Sequence, residues 1–205
     1  MNFIEFKSRF FDLACFGTHQ VYAWHPGFDR NNLSRWTKKG LIIRLRRGLF
    51  TFPEYRAKTD FALYFANRIY RPSYISIHSA LSFYGIIPEA VVQITSVSSL
   101  KTKSFTNEIG EYIYKTVKKE VMFGYDLKPI TGDKAIHIAR PEKALLDLLY
   151  LYSEYNTVQR LSDLRLDDNY LHEEFNKDVL REFVNKFKNK ALEKRIQMLF
   201  IAYGL

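Results

Sequence analysis

The chain has 205 residues, a formal net charge of +9, and 47% hydrophobic and 16% aromatic residues. That apolar content excludes disorder as the general state. The single cysteine, Cys15, excludes an intrachain disulfide, and no apolar run reaches the roughly 18–20 residues of a membrane span.

The charge is uneven. Residues 1–60 hold 11 Lys and Arg against 5 Asp and Glu, a net of +6, while residues 61–205 hold 20 against 17, a net of +3. The N-terminal end therefore either favours a polyanionic partner or simply carries solvated basic surface. Charges interrupt any signal-like core in the opening MNFIEFKSRFF, so the expected location is the cytoplasm.

Phe3, Phe6, Phe10, Leu13 and Ala14 keep three-and-four spacing and predict an amphipathic helix over residues 3–14, ended by Gly17. Cys15, in an apolar run, reads as a small buried residue rather than a nucleophile. Thr18 is placed to cap a second short helix over 19–24, whose N-terminus can either touch a phosphate or merely start the helix. Pro26-Gly27 turns the chain into FDRNNLSRWTKKGLIIRLRRGLFTF at 28–52. Here Asp29 is a good N-cap, Leu33 and Trp36 share one helix face, and Gly40 follows lysines where a helix C-terminus wants it. Strands over 41–43 and 49–52 then flank a turn, Arg44 to Gly48, with three arginines. A helix presenting Arg and Asn outward, followed by an arginine-tipped hairpin, is how a winged helix-turn-helix meets DNA.

Pro53 marks a break at the end of this first unit, residues 1–54. In the second unit, residues 55–205, a helix over 57–70 is stopped by Arg71-Pro72. Residues 74–76 read as extended, and Ser76 is placed to cap a helix over 77–84. A buried strand is expected over 91–97. Residues 101–138 alternate in the β manner, with strands over 112–118, 121–125 and 135–139, predicting a small, mainly antiparallel sheet. Lys115, Lys118 and Lys119 form a second basic strand that suits either an acidic or RNA partner or a solvated edge strand. Pro141 starts a leucine-rich helix, and Asn176 and Asn189 cap two tail helices. The expected class is α+β: an N-terminal winged helix-turn-helix, then a mixed α/β domain with the small sheet and a helical C-terminal tail.

The outward face carries the candidate DNA-binding residues. Arg30 and Arg35 have the fork that reads guanine, Asn31 or Asn32 can read adenine, and Ser34 lies on the same face. Lys38 and Arg44 suit phosphates, and Arg46 and Arg47 suit phosphates or a minor groove. Trp36, sharing a face with Leu33, belongs to the core. The five histidines show no metal-ligand spacing, no Gly-rich phosphate loop or Gly-x-Ser-x-Gly elbow is present, and no cofactor is expected. Asp133, Glu142 and Lys143 loosely resemble a nuclease arrangement, but the last two lack the residue between them that such a site needs.

Three passages carry a resemblance to the AbiEi-like antitoxins of type IV toxin–antitoxin systems. They are LSRWTKKG at 33–40 running to IRLRRGLF at 43–50, PSYISIHSALSFYGIIPE at 72–89 with ITSV at 94–97, and IARPEKALLDLLY at 138–150. The resemblance implies a first unit that binds double-stranded operator DNA, usually at inverted repeats, and represses its own operon. It implies a second unit that acts as the antitoxin proper. The counterpart would be a nucleotidyltransferase-type toxin encoded next door, opposed without a stable complex. Two other readings stay open: a stand-alone winged-helix regulator whose second unit senses a ligand or a protein partner, and a metal-dependent nuclease.

Overall fold

Asn2 caps the first helix, its side chain accepting the Ile4 N–H at 2.9 Å. The computed structural model describes residues 2–88 and 92–205, which form an α+β fold. Helix α1 (Phe3–Phe10) is shorter than its apolar period predicts. A 3₁₀ turn takes Phe11–Leu13, and Ala14 has a φ of +62°. Cys15–Gly17 is then a strand, β1, and not a helix end. The reason lies far along the chain: β1 pairs antiparallel with β3 (Leu49–Thr51), with Phe16 opposite Phe50.

Between these strands lie α2 (Thr18–Trp24), α3 (Asn31–Lys38) and β2 (Ile43–Arg46), and the sheet order is β1-β3-β2. Thr18 is the first helical residue of α2 and not its cap, because Gly17 occupies the cap position and gives its N–H to Gln20 Oε1 at 2.7 Å. Arg44, Leu45 and Arg46 are strand residues, which leaves Arg47-Gly48 as the turn, with Gly48 at φ +77°. Strand alternation accounts for this, since Leu45 points inward and the flanking arginines outward. Phe6 centres an aromatic core here, with ring centroids 4.8 Å from Phe10, 5.2 Å from Phe16 and 4.7 Å from Trp36.

A 3₁₀ turn, Pro53–Tyr55, joins this unit to the rest. The Tyr55 hydroxyl donates to Phe11 O at 2.8 Å, and its ring centroid lies 4.6 Å from that of Phe61 on α4 (Thr59–Ile69). Next come β4 (Ser73–Ile75), α5 (Ile77–Phe83), β5 (Gln93–Ser98), β6 (Lys103–Thr106), β7 (Glu111–Thr116), β8 (Tyr125–Ile130) and β9 (Lys134–Ala139). They build a six-stranded sheet in the order β6-β7-β5-β4-β9-β8. Three pairings are antiparallel, but β5–β7 and β4–β9 are parallel. The expected start of β5 at Val91 lies outside the described residues. The strand expected over 121–125 is instead a 3₁₀ turn, Lys119–Val121, followed by β8. Lys115 is not on an edge, because β7 is paired on both sides, and its Nζ sits 5.3 Å from the Tyr152 ring centroid.

β4 is too short to cover the length of β9, and a helix residue completes the ladder. Asn67 of α4 donates to His137 O at 3.2 Å and accepts the His137 N–H at 2.8 Å. Helices α6 (Pro141–Leu151), α7 (Val158–Ser162), α8 (Asp168–Glu173), α9 (Lys177–Phe187) and α10 (Lys190–Tyr203) finish the fold. Pro141 opens α6, and Asn176 and Asn189 cap α9 and α10. The buried apolar side chains form one continuous cluster from Phe6 to Leu199, crossing residue 54 without a gap. Among the described residues no helix is long and apolar enough to cross a membrane.

Candidate nucleic-acid interface

Helix α3 is amphipathic in the simplest way. Leu33 and Trp36 are buried, and Trp36 meets Phe3, Phe6 and Phe28. That packing turns Arg30, Asn31, Ser34, Arg35 and Lys38 outward, all exposed, with Asn32 half-buried. The start of α2 is tied to the β2–β3 turn by the Thr18 N–H donating to Gly48 O at 3.0 Å. The turn is thereby held beside α3. A cleft of about 330 Å³ lies between them, lined by Thr18, Arg30, Leu33, Ser34, Arg44, Arg47, Gly48 and Phe50. Three arginines line the cleft, and among the described residues no acidic side chain does. The Arg44 guanidinium lies over the ring of its cross-strand partner Phe50, 5.7 Å from the ring centroid.

Not all the sequence-predicted residues join this cleft. Arg35 is engaged on its own helix, donating to Asp29 Oδ2 at 2.9 Å and to Asn32 Oδ1 at 2.8 Å. Asp29 also accepts the Asn31 N–H at 2.9 Å, so its carboxylate caps α3 from one residue before the cap position, which Arg30 occupies. Both partners of the Arg35–Asp29 pair are largely exposed, so it contributes at most about 1 kcal/mol to stability and yields readily to a stronger anion. Arg46 departs more clearly. It lines a separate groove of about 370 Å³ with His19, Gln20, Arg68 and Arg71, because β2 ends there beside α4. Arg68 and Arg71 carry no sequence motif. Their only signal is their place at the end of a helix that the fold sets beside Arg46.

The second unit holds a buried polar cluster. Lys143 Nζ donates to Asp147 and, at 2.8 Å, to the Tyr74 hydroxyl. Tyr74 and Ser76 donate to Asp147 Oδ2 at 2.9 Å and 2.7 Å. Ser76 therefore does not cap α5 with its side chain. Burial lowers the Lys143 pKa, and the Asp147 carboxylate opposes that shift. Burial, with Asp147 second, pushes the Tyr74 hydroxyl well up. Lys143, Glu142 and Asp133 are not brought together, for Glu142 accepts the Asn176 N–H at 3.0 Å and Asp133 lines a cleft elsewhere. Among the described residues no group of three His, Cys, Asp or Glu side chains is placed to hold a metal ion. Cys15 is buried, and that burial raises its thiol to about 11. No protein-family model matches the chain, and no curated protein matches it.

Proposed function

We propose that residues 1–54 are a winged helix-turn-helix that binds double-stranded operator DNA at inverted repeats and represses the chain's own operon in the cytoplasm. Residues 55–205 act as the antitoxin of a type IV toxin–antitoxin system. The observation that carries the DNA half is the convergence of Arg30, Ser34, Arg44 and Arg47 on one acid-free cleft between α3 and the β2–β3 turn. Arg30, Asn31 and Ser34 face base edges, with Asn32 and Arg35 recruited once DNA competes with Asp29. Arg44, Arg47 and Lys38 hold phosphates. The antitoxin half is supported by the resemblance carried at 72–97 and 138–150. Its mechanism is stoichiometric binding without chemistry, opposing a nucleotidyltransferase-type toxin with no stable complex between them.

Titration of the upstream region of the gene against the full-length chain, at several salt concentrations, tests the first half. Replacing Arg44 and Arg47 with Ala lowers the salt slope by about 2, at about 0.9 per phosphate contact, on operator and random DNA alike. Arg30→Ala narrows the gap between operator and random DNA. Unchanged affinity and slope would remove this face from the interface. Growth arrest by the adjacent gene, relieved by the full-length chain, tests the second half, and arrest without relief sinks it. One observation favours a second reading, the stand-alone regulator that senses a ligand: a cleft of about 590 Å³ lies between α4 and the β8–β9 hairpin, away from α3.

A further inference from the structure

The cleft between α4 and the β8–β9 hairpin has a floor and a rim of different chemistry. The floor is set by strand alternation. Tyr125 and Leu127 stand on one face of β8, and His137 stands opposite Leu127 on β9. One face of the Tyr125 ring is backed by the buried Tyr74 ring, parallel to within 14° at 4.6 Å. Tyr125 is nonetheless 38% exposed and Leu127 is 61% exposed, both well above what a β-sheet floor buried by its own fold shows. His137 meets Tyr125 edge-on at 5.9 Å. The result is a braced aromatic surface with an apolar neighbour, open on the cleft side.

The rim is cationic. Arg68 and Arg71 come from the last turn of α4 and the residues just after it, and Lys134 from the start of β9. None of the three has a carboxylate partner within bonding distance among the described residues. Arg71 is held through Nε, which donates to Asn67 O at 3.1 Å, and this leaves its two terminal amino groups for a ligand. Arg68 lies over the Tyr64 ring, its guanidinium carbon 4.7 Å from the ring centroid. Asp133 is the one carboxylate among the lining residues, set at the hairpin turn with φ +54°. A volume of about 590 Å³ suits a small organic ligand.

We propose that this cleft binds a mononucleotide, its base stacked on Tyr125 beside Leu127 and its phosphates held by Arg68, Arg71 and Lys134. A stacking platform takes any planar base, and paired guanidinium forks recognise phosphate oxygens bidentately. A free phosphate leaves the platform unused, and a nucleoside leaves three cations uncompensated. Arg68 and Arg71 also wall the groove that holds Arg46 of β2. Phosphate bound on one side therefore changes the charge beside the DNA-binding unit on the other. Only this last consequence rests on the regulator reading; binding itself is tested without DNA.

The test is calorimetric titration of the full-length chain with ATP, AMP, adenosine and inorganic phosphate, with thermal melts to confirm folding of each variant. ATP or AMP binds saturably, and adenosine and phosphate bind at least tenfold more weakly. Arg71→Ala and Tyr125→Ala each weaken nucleotide binding tenfold or more, while Tyr125→Phe keeps it. Absence of saturable nucleotide binding overturns the proposal. So does phosphate binding as tightly as ATP, or folded Arg71→Ala and Tyr125→Ala variants that bind like the parent. A single-stranded tetranucleotide that binds tenfold more tightly than AMP also overturns it, by making the cleft a polynucleotide surface. Added nucleotide that binds but leaves operator affinity unchanged would fail the regulator reading alone.

Discussion

Cys15 shows how one buried atom sets a response to pH. Its thiol is pushed from an ordinary value of 9.0 to about 11, chiefly by burial, with Arg68 and Lys134 pulling weakly the other way. Between those limits the unfolded chain loses its proton and the folded chain keeps it. The unfolded state then binds fewer protons, so stability falls as pH rises through this window. A thiol displaced that far accounts for at most about 2–3 kcal/mol. Chemical denaturation from pH 8 to 11 should show Cys15→Ala losing less stability than the parent over that interval. Equal losses would mean that the thiol is reached by water in the folded state. Buried tyrosines, Tyr112 and Tyr114 among them, are raised by the same cause and add an alkaline loss common to both proteins. The sequence places Cys15 inside correctly from its apolar neighbours. It gives less warning of Lys143, whose charge reads as a first-turn helix residue. The available signal is Asp147 four residues on, since a partner at that spacing lies on the same helix face.

Among the elements, most helices and the strands β3, β4, β5, β7 and β9 are legible in the sequence, whereas β1, β8, α7 and α8 are not. The helices α1, α3, α9 and α10 declare themselves because each has one apolar face and a capping side chain within its own stretch of sequence. β1 has three residues, and what makes it a strand is Leu49–Thr51, more than thirty positions away. β8 alternates between exposed and half-buried positions with no fully buried face, so no period-2 apolar signal marks it. The parallel pairings β5–β7 and β4–β9 depend on crossovers that local patterns do not encode. Likewise, the Arg30, Ser34, Arg44 and Arg47 part of the proposed interface could be named from the sequence, whereas the diversion of Arg46 toward α4 could not.

Asn67 belongs to this scale too, since a helix side chain stands in for a missing strand residue. Asn67→Ala leaves the N–H and carbonyl of His137 without their partners. The expected cost is about 1–3 kcal/mol, read as a lower urea midpoint at constant slope. A midpoint unmoved by the substitution would mean that water replaces the amide at no cost.

At the scale of the molecule, the apolar cluster crosses the boundary between the two units at Tyr55, which contacts Phe11 on one side and Phe61 on the other. The side chain of Asn107, in the β6–β7 turn, adds a second crossing by donating to Leu45 O at 3.0 Å. Scanning calorimetry of the full-length chain should therefore show one cooperative transition. Two resolved transitions would mean that the shared packing contributes little. A chain cut at residue 54 would lose Phe11 from beside Tyr55, so variants of the intact protein test the division of roles better than fragments do.

The Asn107 bond has a mechanical side. Without it, the β2–β3 hairpin would be clamped along β3, which pairs with β1, and at its turn, where Gly48 O accepts the Thr18 N–H, with β2 left as the outer edge of the sheet. With it, that outer edge gains a strut like the brace of a beam, because Leu45 is pinned to a turn 62 residues further along. A stiffer beam sweeps a smaller volume at its tip, where Arg47 lies. Whatever stiffens or loosens the β6–β7 turn then sets how far, in the proposed interface, that tip could follow a phosphate backbone that bends.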